Sequence, residues 1–194
     1  MSMILYLKRA TQADVDRLKS SASEAPQESA TSEKKGFFAK IFSKSQAVLI
    51  PQLATDPVQD FFFANDDPSN LVHFDRAWDA LNMMLTGEAF GIEGPLAIFY
   101  YQGEEIGNDL GYGPARYIPS SKMKEFDAAF GKLSDDELQS RFDPAAFEAA
   151  QLYSSYLFSE DGIEVDYVMQ WIPDFRRFAK HCAVTDSGAL VLIS

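Results

Sequence analysis

The sequence predicts an α+β domain in which a small sheet, with strands near both termini, packs against several helices. Apolar runs of strand length lie near each end of the chain, and amphipathic helical patterns occupy most of the region between them. In addition, 46% of the 194 residues are hydrophobic, which is enough to build a substantial core. We therefore expect a single compact domain at 1–194, with a flexible insertion at 21–46.

The N-terminal elements are a short strand and a capped helix. The apolar run at 4–7 predicts a buried strand. Thr11 and Asp14 have the spacing of a capping box, which predicts a helix from this point to about Ser20 with Val15 and Leu18 facing inward.

The insertion changes the composition of the chain abruptly. Residues 20–33 are rich in Ser, Ala, Glu and Gln, and residues 34–44 combine four lysines with Phe and Ile side chains. A basic amphipathic stretch can dock on a membrane or a partner. We favour an insertion that lies on the acidic body of the protein or stays mobile, and we do not expect membrane contact through 34–44.

The middle of the chain contains the clearest helix. The pattern predicts a helix over 75–86 that ends at Gly87. The inward face of this helix consists of Phe74, Ala77, Trp78, Leu81, Met84 and Leu85. The three phenylalanines at 61–63 are expected to pack as a buried anchor. The apolar run at 96–101 predicts an internal strand.

The C-terminal half is predicted to be mainly helical. Residues 116–118 are expected to be extended, and a helix over 120–130 follows with Met123, Phe126 and Phe130 inward. Further helices are predicted at 134–141, from a second capping box, and at 143–152, from an Asp-Pro start. A long helical pattern over 162–181 should kink or split at Pro173, and a strand at 189–193 follows.

The charge of the chain is strongly acidic and uneven. The formal net charge is −12, with +3 in residues 1–46 and −15 in residues 47–194. A body of this charge repels phosphate backbones, so we expect no nucleic-acid binding. It attracts basic partners and accelerates their encounter, although an acidic surface also serves to keep a protein soluble.

The single cysteine and the N-terminus bear on location. Cys182 has no intramolecular partner for a disulfide, which favours a reducing compartment. The N-terminus lacks the pattern of a secretory signal, and no apolar stretch has the length of a membrane span. We expect a cytoplasmic protein.

The loop at 107–117 is the most informative segment for function. It follows the predicted strand at 96–101 and contains three glycines and a proline, which indicate a tight loop with positive φ angles. This loop carries four side chains able to bind a ligand: Asp109, Tyr112, Arg116 and Tyr117.

Arg116 is the leading candidate for a binding residue. A guanidinium beside a Gly-rich loop can hold a carboxylate or phosphate as an anion clamp. The alternative, which we favour, is that Arg116 holds the loop through backbone carbonyls or pairs with Asp109. Asp79 is a further possible partner of Arg116. Tyr112 and Tyr117 can stack on a ligand, but the rings of such tyrosines more often pack locally.

Carboxylates near the loop form a second candidate site. Glu104, Glu105 and Asp109 could cluster for acid–base chemistry or for a divalent cation, but a solvated turn is the commoner outcome for such residues.

No catalytic or cofactor motif emerges from the remaining residues. The glycines of the loop do not match a dinucleotide or P-loop fingerprint, and there is no Gly-x-Ser-x-Gly sequence. His73 and His181 lack the spacing of a zinc site. Cys182 lies on an apolar helix face and is expected to be a structural thiol. We expect no cofactor and no bound metal.

Two motifs resemble a known family. The sequences FDRAWDALNMMLTG at 74–87 and GNDLGYGPARY at 107–117 resemble motifs of the YfbM-like family of small bacterial proteins, a family of unknown function. Here Ser2 replaces a Gly of the family pattern, Arg76 replaces a Lys, and Asn82 stands where a His is frequent. The resemblance covers nearly the whole chain outside 21–46. It implies a compact α+β fold and a bacterial source, but no established activity.

These observations favour a protein-binding domain over an enzyme. The narrower hypothesis is an immunity-type inhibitor of a co-encoded basic toxin, because the body is acidic, a catalytic constellation is lacking and the insertion is basic. The alternative is a small-molecule-binding protein or enzyme that uses the loop at 107–117 with Arg116 as the anion clamp. A third possibility is an adaptor that docks on a membrane through 34–44.

Overall fold

A single antiparallel sheet organises the protein. The computed structural model describes residues 3–24, 56–64 and 67–194. The sheet order is β2-β1-β5-β4-β3, and the strands are β1 (Leu5–Ala10), β2 (Leu71–His73), β3 (Glu104–Ile106), β4 (Ala115–Ile118) and β5 (Gly188–Ile193). Strand β5 lies between β1 and β4, with Leu5 paired to Ile193 and Arg116 paired to Val191. The predicted α+β class, with strands near both termini, is confirmed.

The sheet separates two hydrophobic cores. Along β5, Ala189, Val191 and Ile193 contact the larger core, while Leu190 and Leu192 belong to the smaller one. Successive side chains of a strand point to opposite faces, so a strand covered on both sides is apolar throughout. This explains why the last strand is a continuous apolar run in the sequence.

Helices cover both faces of the sheet. Two of them, α1 (Gln12–Glu24) and α2 (Pro57–Phe63), contribute buried side chains to the smaller core. The others contribute to the larger core: α3 (Trp78–Thr86), α4 (Ser120–Phe130), α5 (Asp135–Gln139), α6 (Pro144–Ala149), α7 (Ser155–Ser159), α8 (Asp166–Met169) and α9 (Ile172–Val184). Short 3₁₀ turns, Pro68–Asn70 and Asp75–Ala77, precede β2 and α3. In the described ranges, no helix combines the length and hydropathy that crossing a membrane requires.

The predicted helix boundaries that depend on capping are confirmed. The Thr11 amide donates to Asp14 Oδ2 at 3.0 Å, and the Asp14 amide donates to Thr11 Oγ1 at 3.2 Å. Ser134 and Glu137 form the second capping box. Gly87 ends α3 with φ of 79°, a left-handed value that a residue with a Cβ rarely adopts.

Pro173 divides the long pattern at 162–181 into two helices. It lies in the first turn of α9, where its missing N–H removes no helical hydrogen bond. The preceding residues form the separate helix α8. The predicted split is therefore confirmed, and both pieces contribute to the larger core.

Phenylalanine rings form the centre of the larger core. The ring of Phe175 lies 4.8 Å from Phe74, 5.6 Å from Phe99, and 5.1 Å from both Phe126 and Phe130, measured between centroids. These residues come from α9, α4 and the segments on either side of α3. Aromatic contacts thus hold helices from distant parts of the chain against the same sheet face.

The predicted strand at 96–101 is wrong. This segment forms turns in which the Ala97 amide donates to Gly94 O and the Tyr101 amide donates to Ile98 O. Ile98 and Phe99 are nevertheless buried in the larger core. A short apolar run indicates that a segment is buried, but it does not distinguish a strand from a buried turn. Here the apolar side chains pack in the core although the backbone pairs with none of the described strands.

Other boundaries also differ from the prediction. The first helix continues to Glu24, while α5 and α6 are shorter than expected.

Of the three phenylalanines at 61–63, Phe62 is fully buried but Phe63 is 51% exposed, so only part of this run is an anchor. Of the expected insertion at 21–46, residues 21–24 belong to α1; the remainder, with the basic stretch at 34–44, lies outside the described residues.

Candidate functional site

The Gly-rich loop folds around a carboxylate. Asp109 Oδ1 accepts hydrogen bonds from the amides of Gly111 at 2.8 Å and Gly113 at 2.9 Å. Both glycines have positive φ angles, 118° and 97°, as the sequence predicts. The two amide donors stabilise the charged carboxylate, which lowers the pKa of Asp109 below its usual range. Asp109 is thus a structural residue of the loop.

Helix α2 anchors the base of the loop. The Asn108 side-chain amide donates to Asp56 Oδ2 at 3.0 Å, and Asp56 itself caps α2 by accepting from the Val58 amide. A Cβ added to Gly107 would lie 2.5 Å from Val58 Cγ2, so the close approach of loop and helix requires glycine at this position. The base of the loop therefore packs directly against α2.

The loop forms one wall of a cavity of about 250 Å³ on the sheet face toward the larger core. Tyr112 and Pro114 belong to the loop, and Arg116 follows on β4. The turn segment after α3 and the central strand complete the lining with Phe99, Tyr100, Gln102, Val191 and Ile193. Tyr112 is 44% exposed, whereas Phe99 and Val191 are buried. The cavity therefore combines aromatic and aliphatic surface with the guanidinium of Arg116.

Arg116 pairs with Glu105 on the neighbouring strand. Its Nη2 donates to Glu105 Oε1 at 2.6 Å, and its Nη1 approaches Gly103 O at 3.4 Å. The two residues face each other across β3 and β4. Gly103 lies outside the loop at 107–117, so this carbonyl contact does not hold the loop as expected. The expected pairing with Asp109 is wrong, since the carboxylate that Arg116 contacts is that of Glu105.

Asp79, the other suggested partner of Arg116, lies in a different environment. It is buried in α3, where its carboxylate accepts from the amide and hydroxyl of Ser154. Burial raises the pKa of Asp79, and these hydrogen bonds oppose that shift. Asp79 therefore joins α3 to the segment before α7 and does not contact Arg116.

The three carboxylates near the loop do not form a cluster. Glu104 and Glu105 are consecutive residues of β3, so their side chains point to opposite faces of the sheet. Glu104 forms an ion pair with Lys19 of α1 at 2.7 Å, while Glu105 pairs with Arg116. These residues belong to a strand instead of the predicted solvated turn. Across the described ranges, no group of three or more His, Cys, Asp or Glu side chains is arranged to hold a metal ion.

The two loop tyrosines are separated by the sheet. Tyr117 packs in the smaller core, on the side opposite Arg116, and burial raises the pKa of its hydroxyl. Tyr112 faces the cavity. The ring of Tyr117 is therefore structural, whereas that of Tyr112 is available for stacking.

Tyr100 supplies a further polar group of the cavity lining. Burial and the charge of Asp79 raise the pKa of its hydroxyl, so Tyr100 stays protonated at neutral pH and can donate a hydrogen bond. Its ring lies 5.5 Å from that of Trp78, which is buried as predicted. The polar side chains of this lining are tyrosine, glutamine and arginine.

Comparisons with known proteins identify the family. The family described as a domain of unknown function, DUF1877, matches residues 1–192. The chain belongs to the DUF1877 family. Its fold is similar to that of the crystal structure of YfbM from Escherichia coli, a protein of unknown function, with a TM-score of 0.60 and 15% identity over 98% of this chain and 99% of that chain. A search of curated proteins finds no match.

The DUF1877 chain carries cavity residues that sequence reasoning missed. The sequence predicts a strand at 96–101 for Phe99 and Tyr100, makes no prediction for Gln102, and predicts only a closing strand for Val191 and Ile193. The alternation of β5 could have placed Val191 and Ile193 on one face. It could not have placed that face beside the loop, because strand order is decided by pairing between distant segments.

A larger cavity in this DUF1877 protein, of about 450 Å³, lies between α4 and α9. Arg176 lines it but donates to the carbonyls of Phe130 at 2.8 Å and Leu133 at 2.7 Å, and to Asp135. This arginine donates hydrogen bonds to carbonyls at the end of α4, which is a structural role.

Cys182 is a structural thiol, as predicted. It is fully buried, which raises its pKa to about 12.

Proposed function

We propose that this protein binds a small ligand carrying an anionic group, and that it does so without transforming the ligand chemically. The observation that carries the proposal is the cavity of about 250 Å³ in which Arg116 meets the aromatic rings of Tyr100 and Tyr112. Ligand sites are concave and mainly apolar, with a few polar groups that fix orientation. The lining has this character, with an arginine suited to a carboxylate or a phosphate.

The chemistry of the lining supports binding over catalysis. Tyr100 is protonated at neutral pH, and Gln102 has no acid–base chemistry in this range. Arg116 can orient or polarise an anionic group but cannot act as a base. A cysteine-poor chain fits a reducing, cytoplasmic setting for this binding activity.

The test is a binding screen with a variant that removes the guanidinium. Protein-observed NMR with a panel of small carboxylates, phosphates and amino acids should shift the amide signals of Tyr112, Gly113 and Arg116. Arg116→Gln should abolish those shifts, while Arg177→Gln, an exposed arginine of α9, should leave them unchanged. Equal binding by Arg116→Gln, or no shift from any compound of the panel, would contradict the proposal.

The second candidate function is binding of a basic protein, with the immunity-type inhibitor as its narrower form. One observation favours it. Residues 134–166 contain nine acidic side chains, all exposed, against the single basic residue Arg141. A surface with this charge attracts a basic partner and accelerates association.

This candidate is tested by neutralising carboxylates without changing their shape. Tagged protein would be used to capture proteins from the native lysate at low and high salt, followed by mass spectrometry. A triple glutamine variant at Glu148, Glu160 and Glu164 should lose a stoichiometric basic partner. The matched control carries glutamines at three exposed glutamates elsewhere: Glu88, Glu93 and Glu125. Equal retention by both variants, or absence of a basic partner, would contradict this function.

A further inference from the structure

The guanidinium that lines the cavity belongs to an ion pair, whose carboxylate is supplied by Glu105 on the neighbouring strand β3. Arg116 Nη2 donates to Glu105 Oε1 at 2.6 Å, and the side chains are 32% and 56% exposed. Both ends of the pair remain accessible, since neither side chain is fully buried. A ligand that approaches the guanidinium therefore also meets a carboxylate next to it.

This arrangement disfavours a simple anion. An added carboxylate would be attracted by Arg116 but repelled by Glu105, within a protein whose net charge is −12. A ligand with both charges avoids this repulsion, because its cationic group faces Glu105 while its carboxylate takes further N–H donors of the guanidinium.

We propose that the ligand is a zwitterion, an α-amino acid with an apolar side chain. This inference rests on the proposed binding function of the same cavity. The ligand carboxylate binds Arg116, and the ligand ammonium binds Glu105 at the edge of the sheet. The apolar side chain lies against Phe99, Val191 and Ile193.

The size of the cavity agrees with this class of ligand. A volume of about 250 Å³ is that of roughly eight water molecules in the liquid. Leucine, methionine and phenylalanine are of this size. Tyr100 and Tyr112 provide ring surface for the side chain of such a ligand, as apolar pockets with a few polar groups commonly do.

The experiment compares ligands that differ by one charged group. Isothermal titration of the wild-type protein is carried out with L-leucine, L-methionine and L-phenylalanine. For leucine, the matched compounds are isocaproate, which lacks the amine, and isopentylamine, which lacks the carboxylate. At least one amino acid should bind, and removing either charged group should weaken binding about tenfold or more.

A variant of Glu105 gives opposite outcomes for the two ligand classes. Glu105→Gln should weaken amino-acid binding about tenfold, because the ammonium loses its charged partner. A simple carboxylate should bind more tightly to the same variant, since Glu105 no longer competes with the ligand for the Arg116 guanidinium. Glu104→Gln is the matched control: it removes one charge from the same strand on the opposite sheet face and should change neither affinity.

The outcomes separate this inference from the binding function itself. Tight binding of isocaproate that increases in Glu105→Gln would overturn the zwitterion but preserve an anion site at Arg116. Absence of binding by all three amino acids overturns the zwitterion. Absence of binding by the panel of carboxylates and phosphates as well overturns the proposed function.

Discussion

The buried carboxylate of Asp79 accepts hydrogen bonds from both the backbone amide and the hydroxyl of Ser154, although 75 residues separate them in sequence. The Ala80 amide donates to the same carboxylate at 2.8 Å. Burying a charge without partners is costly, and these three donors offset that cost. The contact fixes α3, and with it the Trp78 ring that packs against Tyr100 of the cavity.

Removing the Ser154 hydroxyl should destabilise the protein. Ser154→Ala leaves Asp79 with one donor fewer in a buried site, and we expect a loss of about 1–3 kcal/mol in the free energy of unfolding. Urea denaturation measures this change. The control is Ser159→Ala, an exposed serine that donates only to the Ser155 carbonyl; its effect should stay within about 0.5 kcal/mol. Equal effects of the two variants would show that the buried contact adds no stability.

Asp79 should also give the protein a specific pH dependence. Its folded pKa is raised by burial, so the folded state binds more protons than the unfolded state between the two pKa values. The stability associated with this group is fully present below the unfolded pKa of about 3.9 and is lost as pH rises through the folded pKa. Asn cannot titrate, so the Asp79→Asn variant does not lose stability in this way. The free energy of unfolding of the variant relative to that of the wild type should therefore increase as pH rises from the unfolded pKa to the folded pKa. Urea unfolding at a series of pH values measures the difference, and a difference independent of pH would contradict the assignment.

The carboxylate of Asp109 should control the shape of the cavity loop. Asp109→Ala leaves the Gly111 and Gly113 amides without their acceptor, so the loop that carries Tyr112 should loosen. We expect faster amide hydrogen exchange at 111–113 and weaker ligand binding, with little change in global unfolding. Because the pKa of Asp109 is lowered, the same loosening should appear in the wild type as pH falls through that pKa.

A control separates this effect from a general loss of charge. Asp161→Ala removes an exposed carboxylate outside the cavity lining and should leave exchange at 111–113 unchanged. Unchanged exchange in Asp109→Ala itself would show that the glycine conformations hold the loop without the carboxylate.

Two adjacent arginines of α9 should have unequal effects on stability. Arg176 donates to the Phe130 and Leu133 carbonyls and lies 4.4 Å from the Phe130 ring centroid. Arg176→Ala should cost about 1–3 kcal/mol, because carbonyls at the end of α4 lose a charged donor. Arg177 pairs only with the exposed Asp174 in the same helix, and its removal should cost about 0.5 kcal/mol or less. Thermal or urea unfolding of both variants tests the ranking, and a reversed order would refute it.

Local rules account for the elements that the sequence predicted well. The capping pairs Thr11–Asp14 and Ser134–Glu137, and the helix end at Gly87, depend on residues within one turn of each other. Burial of an amphipathic helix face depends only on periodicity, which is why the inward residues of α3 and α4 were identified. The split at Pro173 follows from the covalent structure of proline.

Elements that depend on distant partners were not predictable in the same way. Strands β2 and β3 have three residues each, too few to establish a period, and they exist because β1 and β4 pair with them. The apolar run at 96–101 predicts a strand because the sequence indicates that the run is buried but does not indicate its packing partners, such as Phe74 and Phe175.

The candidate site also combines features set by the local sequence with features set by contacts between distant segments. The sequence by itself determined that a tight, Gly-rich loop carries Tyr112 and leads into an extended segment with Arg116, because glycine and proline set the backbone conformation locally. Only the tertiary structure decided that Arg116 pairs with Glu105, that Asp79 binds Ser154, and that Tyr117 points away from the cavity. Strand register and the two-sided sheet set those relationships, and both arise from hydrogen bonding and burial between segments far apart in the chain.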